Sequence, residues 1–246
     1  MNNSIPSVTL PDWVLDRQIV FLDFDGVFLA SNEFKISQMS KALAPFGREK
    51  VDPFLSYFRV NMGNTRMRHF RVFHEDYLNG MGKFEEFYET YAGIYGRLVS
   101  EGYSQLPLIE GCRDFLESAA VAGLSCRIVT GGDPAQVKVV LDKKNITHLI
   151  DSVDGAPVEK SVHLQNHLST ARCLGETCIL FGDGLADQRA ANSAGIEFVF
   201  VSEHALVSVE DVRRQGQNCR TTPNLSPKNL CNAERLNLKA NLLAEQ

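Results

Sequence analysis

Asp23 and Asp25 close an apolar run, Ile19-Val20-Phe21-Leu22. Side chains two apart in an extended chain point the same way. Burying two carboxylates side by side is costly without a cation. Gly26 follows and lets the backbone turn sharply. A second acidic cluster, Gly182-Asp183-Gly184-Leu185-Ala186-Asp187, closes another apolar run. If the two runs are neighbouring strands, Asp183 faces Asp23 and Asp25. Hard oxygen ligands of this kind suit magnesium. Asp187 alone could be a helix cap. Four acids at two strand ends read instead as a metal-dependent site.

Two further pieces add positive potential. Thr130-Gly131-Gly132 puts a hydroxyl and backbone N–H groups just before a helix start, which makes an anion site. Alone, it would read as a Gly-rich turn. Lys160 lies between this segment and the second acidic cluster. A lone lysine is usually solvated, but its place after a strand end favours a role in the site.

These residues need a sheet to converge. Strands are expected at 19–24, 126–130, 149–153, 177–182 and 198–201, short apolar runs suited to burial on both faces. Helical patterns separate the last four, at 111–122, 134–144, 161–174 and 187–194. Asp133 and Pro134 form an N-cap and first helical position. Alternating strands and helices imply a parallel α/β sheet covered on both faces. Ligands in such sheets bind outside the carboxyl ends of the strands. That is where all the acids fall.

Residues 31–106 break the rhythm. They are rich in Phe, Tyr, Met and Arg, and Phe87, Tyr91, Ile94 and Leu98 recur at helical spacing. We read them as an inserted helical domain, with the α/β core at 1–30 and 107–212. The stripe Phe84, Phe87, Tyr88, Tyr91 and Tyr95 reads as the core of that insertion. Within it, 63–71 (GNTRMRHFR) concentrates cations. His69 and His74 read as packing or surface residues. His163 and His167 could bind a metal at i, i+4 spacing, but read as lying on a solvent-facing helix. From Arg213 to Gln246 the chain is polar and basic, net +4 against −9 for the remainder. It reads as a loosely packed tail, with a short amphipathic helix conceivable over 233–245.

Composition bounds the rest. The 246 residues are 44% apolar and 22% charged, enough for a buried core. No run approaches the roughly 18 apolar residues of a membrane helix. The N-terminal segment lacks the pattern of a secretory signal. A net charge of −5 disfavours general nucleic-acid binding. The six cysteines form no C-x-x-C pair, and Cys112 and Cys126 read as small core residues. Free thiols fit a cytoplasmic protein.

Taken in order, Asp23-Phe24-Asp25-Gly26-Val27, Thr130, Lys160 and Gly182-Asp183-Gly184-x-x-Asp187 resemble the haloacid dehalogenase superfamily. Leu108-Ile109-Glu110-Gly111-Cys112 and Ala190-Ala191-Asn192-Ser193-Ala194-Gly195-Ile196 also look like that family's segments. The resemblance spans residues 19 to about 202. It implies a Rossmann-like core with a mobile α-helical cap at 31–106, as in phosphoglycolate-phosphatase-like and β-phosphoglucomutase-like members.

The resemblance also implies roles. Asp23 would be the nucleophile, forming an aspartyl-phosphate. Asp25 would protonate the leaving oxygen and then deprotonate water, with a carboxyl raised by burial or neighbouring carboxylates. Magnesium would sit on Asp23, the Asp25 carbonyl and Asp183, supported by Asp187. Thr130, Gly131 and Lys160 would hold the phosphoryl oxygens. Arg66 is the candidate substrate contact, suited to a carboxylate or second phosphate.

Asp25 argues against haloalkanoate dehalogenases, which lack a second acid there. Val27 departs from the Thr commonest in the family's phosphatases and keeps a phosphomutase alive. The expected function is a magnesium-dependent phosphatase of a small phosphate monoester, such as a sugar phosphate. A phosphomutase is the first alternative, and a non-catalytic protein binding a phosphorylated ligand the second.

Overall fold

The computed structural model describes residues 10–215 and 219–236. Seven strands form one sheet in the order β3-β2-β1-β4-β5-β6-β7. They are β1 (Ile19–Leu22), β2 (Ser125–Val129), β3 (Ser152–Asp154), β4 (Cys178–Gly182), β5 (Glu197–Val201), β6 (Cys219–Thr222) and β7 (Glu234–Leu236). The first six run parallel, and β7 pairs antiparallel with β6.

A short helix, α1 (Asp12–Leu15), precedes β1. Between β1 and β2 come the inserted cap helices α2 (Asn32–Leu43), α3 (Arg48–Val60), α4 (Arg66–Val72) and α5 (Phe84–Gly102), then the core helix α6 (Cys112–Val121). The remaining helices are α7 (Pro134–Lys143), α8 (Lys160–Ala171), α9 (Leu185–Ala194), α10 (Val209–Arg214) and α11 (Pro227–Cys231).

Side chains alternate across a strand, and β1 is buried on both faces. Ile19 and Phe21 pack with Leu164, Leu180 and Phe198. Val20 and Leu22 pack on the other side with Ile128, Phe115 and Phe181. Such a strand has no polar edge to show, which is why it reads as a continuous apolar run. The cap has its own aromatic centre, in which the Phe54 and Phe73 rings lie 4.8 Å apart and those of Phe46 and Tyr91 4.7 Å apart. Phe87 and Tyr95 of α5 are buried there.

Three expectations change. The third strand begins later than 149, because Thr147–Leu149 is a 3-10 turn and pairing with β2 starts at Ser152. Asn145, at φ 54°, reverses the chain just before it.

The segment read as a loose tail is part of the sheet as far as Leu236. Cys219, Thr222, Leu225 and Leu230 are buried. Arg220 is satisfied within β6 by Glu197 at 3.1 Å and by the Trp13 ring, whose centroid is 4.5 Å from its guanidinium carbon. The amphipathic helix over 233–245 gives way to β7 at 234–236, and its remainder lies outside the described residues.

His163 and His167 do not face solvent either. Arg127 Nη1 donates to His167 Nδ1 at 2.6 Å, so Nε2 carries the hydrogen directed at Asp154 Oδ2, 2.8 Å away. A ring nitrogen of His163 meets the Gly155 carbonyl at 2.9 Å. No helix among the described residues is long and apolar enough to cross a membrane.

Candidate active site

The strand order sets β1 between β2 and β4. In register, Leu22 lies beside both Ile128 and Phe181, so the three strands end nearly level. The next residues therefore meet: Asp23 after β1, Thr130 after β2 and Asp183 after β4. Asp23, Asp183 and Asp187 each offer a carboxylate oxygen, and these lie within 4.8 Å of one another. All three residues are buried. Gly26, at φ 77°, turns the chain close to this cluster; a Cβ there would fall 1.9 Å from Asp183 Oδ2.

Lys160, the first residue of α8, reaches into the cluster. Its Nζ lies 2.8 Å from Asp23 Oδ1 and is also ion-paired with Asp187 Oδ1. The Asn32 side-chain amide donates to Asp183 Oδ2 at 2.5 Å. Asp187 Oδ2 accepts from the Gly184 N–H at 3.1 Å, so this residue caps α9 as well.

Charge is unbalanced here. Burial, then the Asp187 charge, pushes the Asp23 carboxyl from 3.8 up to about 7, although Lys160 opposes them. Burial, then the charges of Asp23 and Asp187, holds Asp183 well above the ordinary carboxylate range. For Lys160, burial works against the ammonium, yet Asp187 and Asp23 raise it overall. Three buried carboxylates with one ammonium leave negative charge uncompensated. Such an all-oxygen donor set fits a divalent cation such as magnesium.

Asp25 stands apart from this cluster. Its side chain turns toward the cap: Oδ1 accepts from Ser31 Oγ at 2.5 Å and from the Tyr103 hydroxyl at 2.6 Å. Oδ2 is ion-paired with Lys35 Nζ. The expected raised carboxyl is therefore corrected. Burial alone would raise it, but the Lys35 charge and the hydrogen bonds from Lys35, Ser31 and Tyr103 outweigh burial and lower it. Nor does its carboxylate join the other three acids, so any share in holding a metal falls to its backbone carbonyl.

The cap lies against the Thr130-Gly131-Gly132 loop. A Cβ on Gly131 would fall 2.3 Å from the Gly63 carbonyl oxygen, so only glycine lets the two loops meet. A Cβ on Gly63 would in turn be 3.7 Å from Lys160 Nζ. Thr130 is buried, and its Oγ1 accepts from the Gly132 N–H at 3.0 Å.

Arg66 lines the cleft between cap and core together with Asp23, Asp25, Lys35 and Gly131. Its guanidinium carbon is 5.1 Å from the centre of the Tyr95 ring, and Nη2 donates to Gln136 Oε1 at 3.3 Å. Arg71 sits elsewhere, over the Phe84 ring at 4.0 Å.

Sequence reading missed Asn32, Ser31, Lys35 and Tyr103. One signal was available. Lys35 shares a helical face with Met39 and Ala42, both buried, so a cation falls on an apolar stripe. Nothing local marks Tyr103.

Residues 19–201 match the family model described as haloacid dehalogenase-like hydrolase. No curated protein matches the sequence. Among solved structures, a hydrolase from Pseudomonas syringae is similar with a TM-score of 0.73 at 17% identity, covering 88% of this chain and 97% of that one. A protein described as a predicted phosphatase from Clostridium acetobutylicum gives 0.67 at 17% identity, over 83% and 93% of the two chains. One described as a predicted phosphoglycolate phosphatase from Haemophilus somnus gives 0.62 at 17% identity, over 75% and 85%. At these identities the likeness is one of fold.

Proposed function

The chain belongs to the haloacid dehalogenase-like hydrolases, and we propose that it is a magnesium-dependent phosphatase of a small organic phosphate monoester. The observation that carries this reading is the buried cluster of Asp23, Asp183 and Asp187 around the single ammonium of Lys160. A structural role would favour apolar residues there, since buried carboxylates are costly.

Asp23 attacks phosphorus in line and becomes an aspartyl-phosphate, expelling the alcohol. Its Oδ1 is held by the Phe24 N–H at 2.7 Å as well as by Lys160, which fixes the attacking group. Lys160, the Thr130 hydroxyl and the Gly131 N–H take the phosphoryl oxygens. Asp23, Asp183 and the Asp25 carbonyl would hold magnesium, with Asp187 in support; the ion supplies charge neutralisation when bound.

Asp25 moves the protons. Ionised, as its three partners keep it, it has the charge state of the base that deprotonates the water hydrolysing the aspartyl-phosphate, and loosening those partners frees an oxygen for that proton. To protonate the leaving oxygen in the first half-reaction it must first be released from Lys35. Residues 31–106 act as the cap over a core formed by the other described residues.

A phosphomutase is the second reading, favoured by the close approach of Gly63 to Gly131, which brings the cap onto the core at that edge of the cleft. The test is phosphate release from a panel of sugar phosphates, phosphorylated acids and nucleotides, with magnesium. Wild type should release phosphate and Asp23→Asn should not. Isomerised products without free phosphate would select the mutase. Release unchanged in Asp23→Asn would sink the assignment of the nucleophile.

A further inference from the structure

Asn32 is the first residue of α2 and is 3% exposed. It closes no strand, yet it touches the acid cluster. Its Nδ2 donates to Asp183 Oδ2 at 2.5 Å and to the His204 carbonyl at 3.0 Å. Both partners are acceptors, so the orientation of the amide is fixed and both of its hydrogens are used. Gly26 packs on the same spot: a Cβ there would fall 1.9 Å from Asp183 Oδ2 and 2.5 Å from Asn32 Nδ2.

The other end of the amide is unsatisfied. Asn32 Oδ1 is buried and has no hydrogen-bond partner among the described residues. A buried acceptor left unmet is costly. His69 Nδ1, Gln188 Oε1 and Asn192 Oδ1 share this condition, but of the four residues only Asn32 hydrogen-bonds a carboxylate of the cluster.

The residue type fits a purpose. An amide donates to Asp183 at one end and presents an acceptor at the other without adding charge. An aspartate in its place would set a fourth carboxylate against the single ammonium of Lys160.

The donor that Oδ1 lacks is one that a cation brings. Magnesium keeps several of its waters when a protein binds it. The ion polarises them, and their hydrogens point away from it and need acceptors. Oδ1 shares a carbon with the nitrogen that touches Asp183 Oδ2, so it stands at the edge of the cluster.

We propose that Asn32 is a positioning residue of the cation site: Nδ2 holds Asp183 in place, and Oδ1 accepts a hydrogen from the hydration shell of the ion. This rests on the reading of the three acids as a cation site, and adds to it a residue that comes from a helix start rather than a strand end.

The test is isothermal titration of the full chain with magnesium and, separately, with calcium, for wild type, Asn32→Leu and Asn32→Ser. Loss of a partner in the outer shell of a metal site lowers metal affinity about 10–100-fold, and Asn32→Leu should weaken magnesium binding on that scale. Asn32→Ser, too short to span both partners, should weaken it in the same direction. Calcium takes about six to eight oxygen ligands in flexible geometry and depends less on retained water, so its affinity should fall less. Unfolded chain lowers the stoichiometry of a titration and not its Kd, so a destabilised variant still answers. A tether that only held α2 on the His204 turn would lower Tm and leave both Kd values alone.

Wild-type magnesium affinity in both variants would overturn the proposal and leave the cation site standing. An equal loss for magnesium and calcium would also overturn it, since Asn32 would then orient Asp183 and nothing more. No magnesium binding by wild type would overturn the cation site and this inference with it.

Discussion

Lys35, on the first cap helix, is ion-paired with Asp25, on the core, and both are nearly buried. Ser31 and Tyr103 complete the shell of Asp25, one from the chain entering the cap and one from the chain leaving it. Both connections between cap and core thus converge on a single carboxylate. Lys35→Met should leave Asp25 buried without its counter-charge, a change that costs about 3–5 kcal/mol when one partner of a buried pair is removed. Tyr103→Phe removes one donor only and should cost about 1–3 kcal/mol. Denaturant unfolding of the two variants checks the order. Equal stability of Lys35→Met and wild type would mean that the pair is not made in solution.

Lys160 is the ammonium shared by Asp23 and Asp187. Lys160→Met should lower phosphate release by about 10²–10³-fold, the scale on which removing one oriented donor to a developing charge acts. The loss should be in kcat at saturating substrate. A variant that recovers full kcat at high substrate would make Lys160 a residue of ground-state binding only.

Magnesium should stabilise the protein, and more so as pH rises. The Asp23 carboxyl is raised from 3.8 to about 7 in the folded chain, and Asp183 moves the same way. Without metal, such groups contribute stability that is full below 3.8 and is lost as pH rises through the folded value. A divalent cation needs them ionised. The difference in Tm between magnesium and chelator should therefore widen from about pH 5 to about pH 7.5. His69, held down near 3, pushes metal-free stability the other way as pH falls, but it is common to both samples and cancels in the difference. A difference that narrows with pH, or that persists unchanged in Asp183→Asn, would contradict the cluster as the cation site.

The parts readable from sequence are those fixed by strand ends. Asp23, Thr130 and Asp183 each follow a short apolar run, and the parallel sheet does the rest, because β2, β1 and β4 are neighbours that end level. Asp25 shows the limit. Its place after β1 is plain, but its partners, 6, 10 and 78 residues away, lie on α2 or just outside the ends of α2 and α5, whose packing no local pattern states. The direction of its ionisation therefore came out opposite to expectation. β6 escaped for a different reason. Its four residues, Cys-Arg-Thr-Thr, carry no apolar run, and Arg220 belongs in a strand only because Glu197 and Trp13 are there to receive it.

The last strands also bear on the site. Asn32, which holds Asp183 Oδ2 at 2.5 Å, donates to the His204 carbonyl at 3.0 Å as well. The His204 turn is in turn tied to the C-terminal segment: the Ser202 N–H donates to the Thr222 carbonyl at 2.9 Å, and Asn224 Nδ2 donates to Glu203 Oε2 at 2.6 Å. Leu225 and Leu230 are fully buried. Each buried leucine is worth about 1.5–3 kcal/mol, against a total stability of about 5–15 kcal/mol for a domain. Leu230→Ala should therefore cost about 2–5 kcal/mol. Ending the chain at Gln215 should lower Tm by far more than a disposable tail would allow. Asn224→Ala should keep most of the stability but weaken magnesium binding, because it loosens the turn that positions Asn32 against Asp183. Isothermal titration with magnesium and thermal unfolding of the three variants separate these effects. A chain ending at Gln215 with the wild-type Tm and magnesium affinity would restore the view of residues 213–246 as a tail that the fold does not use.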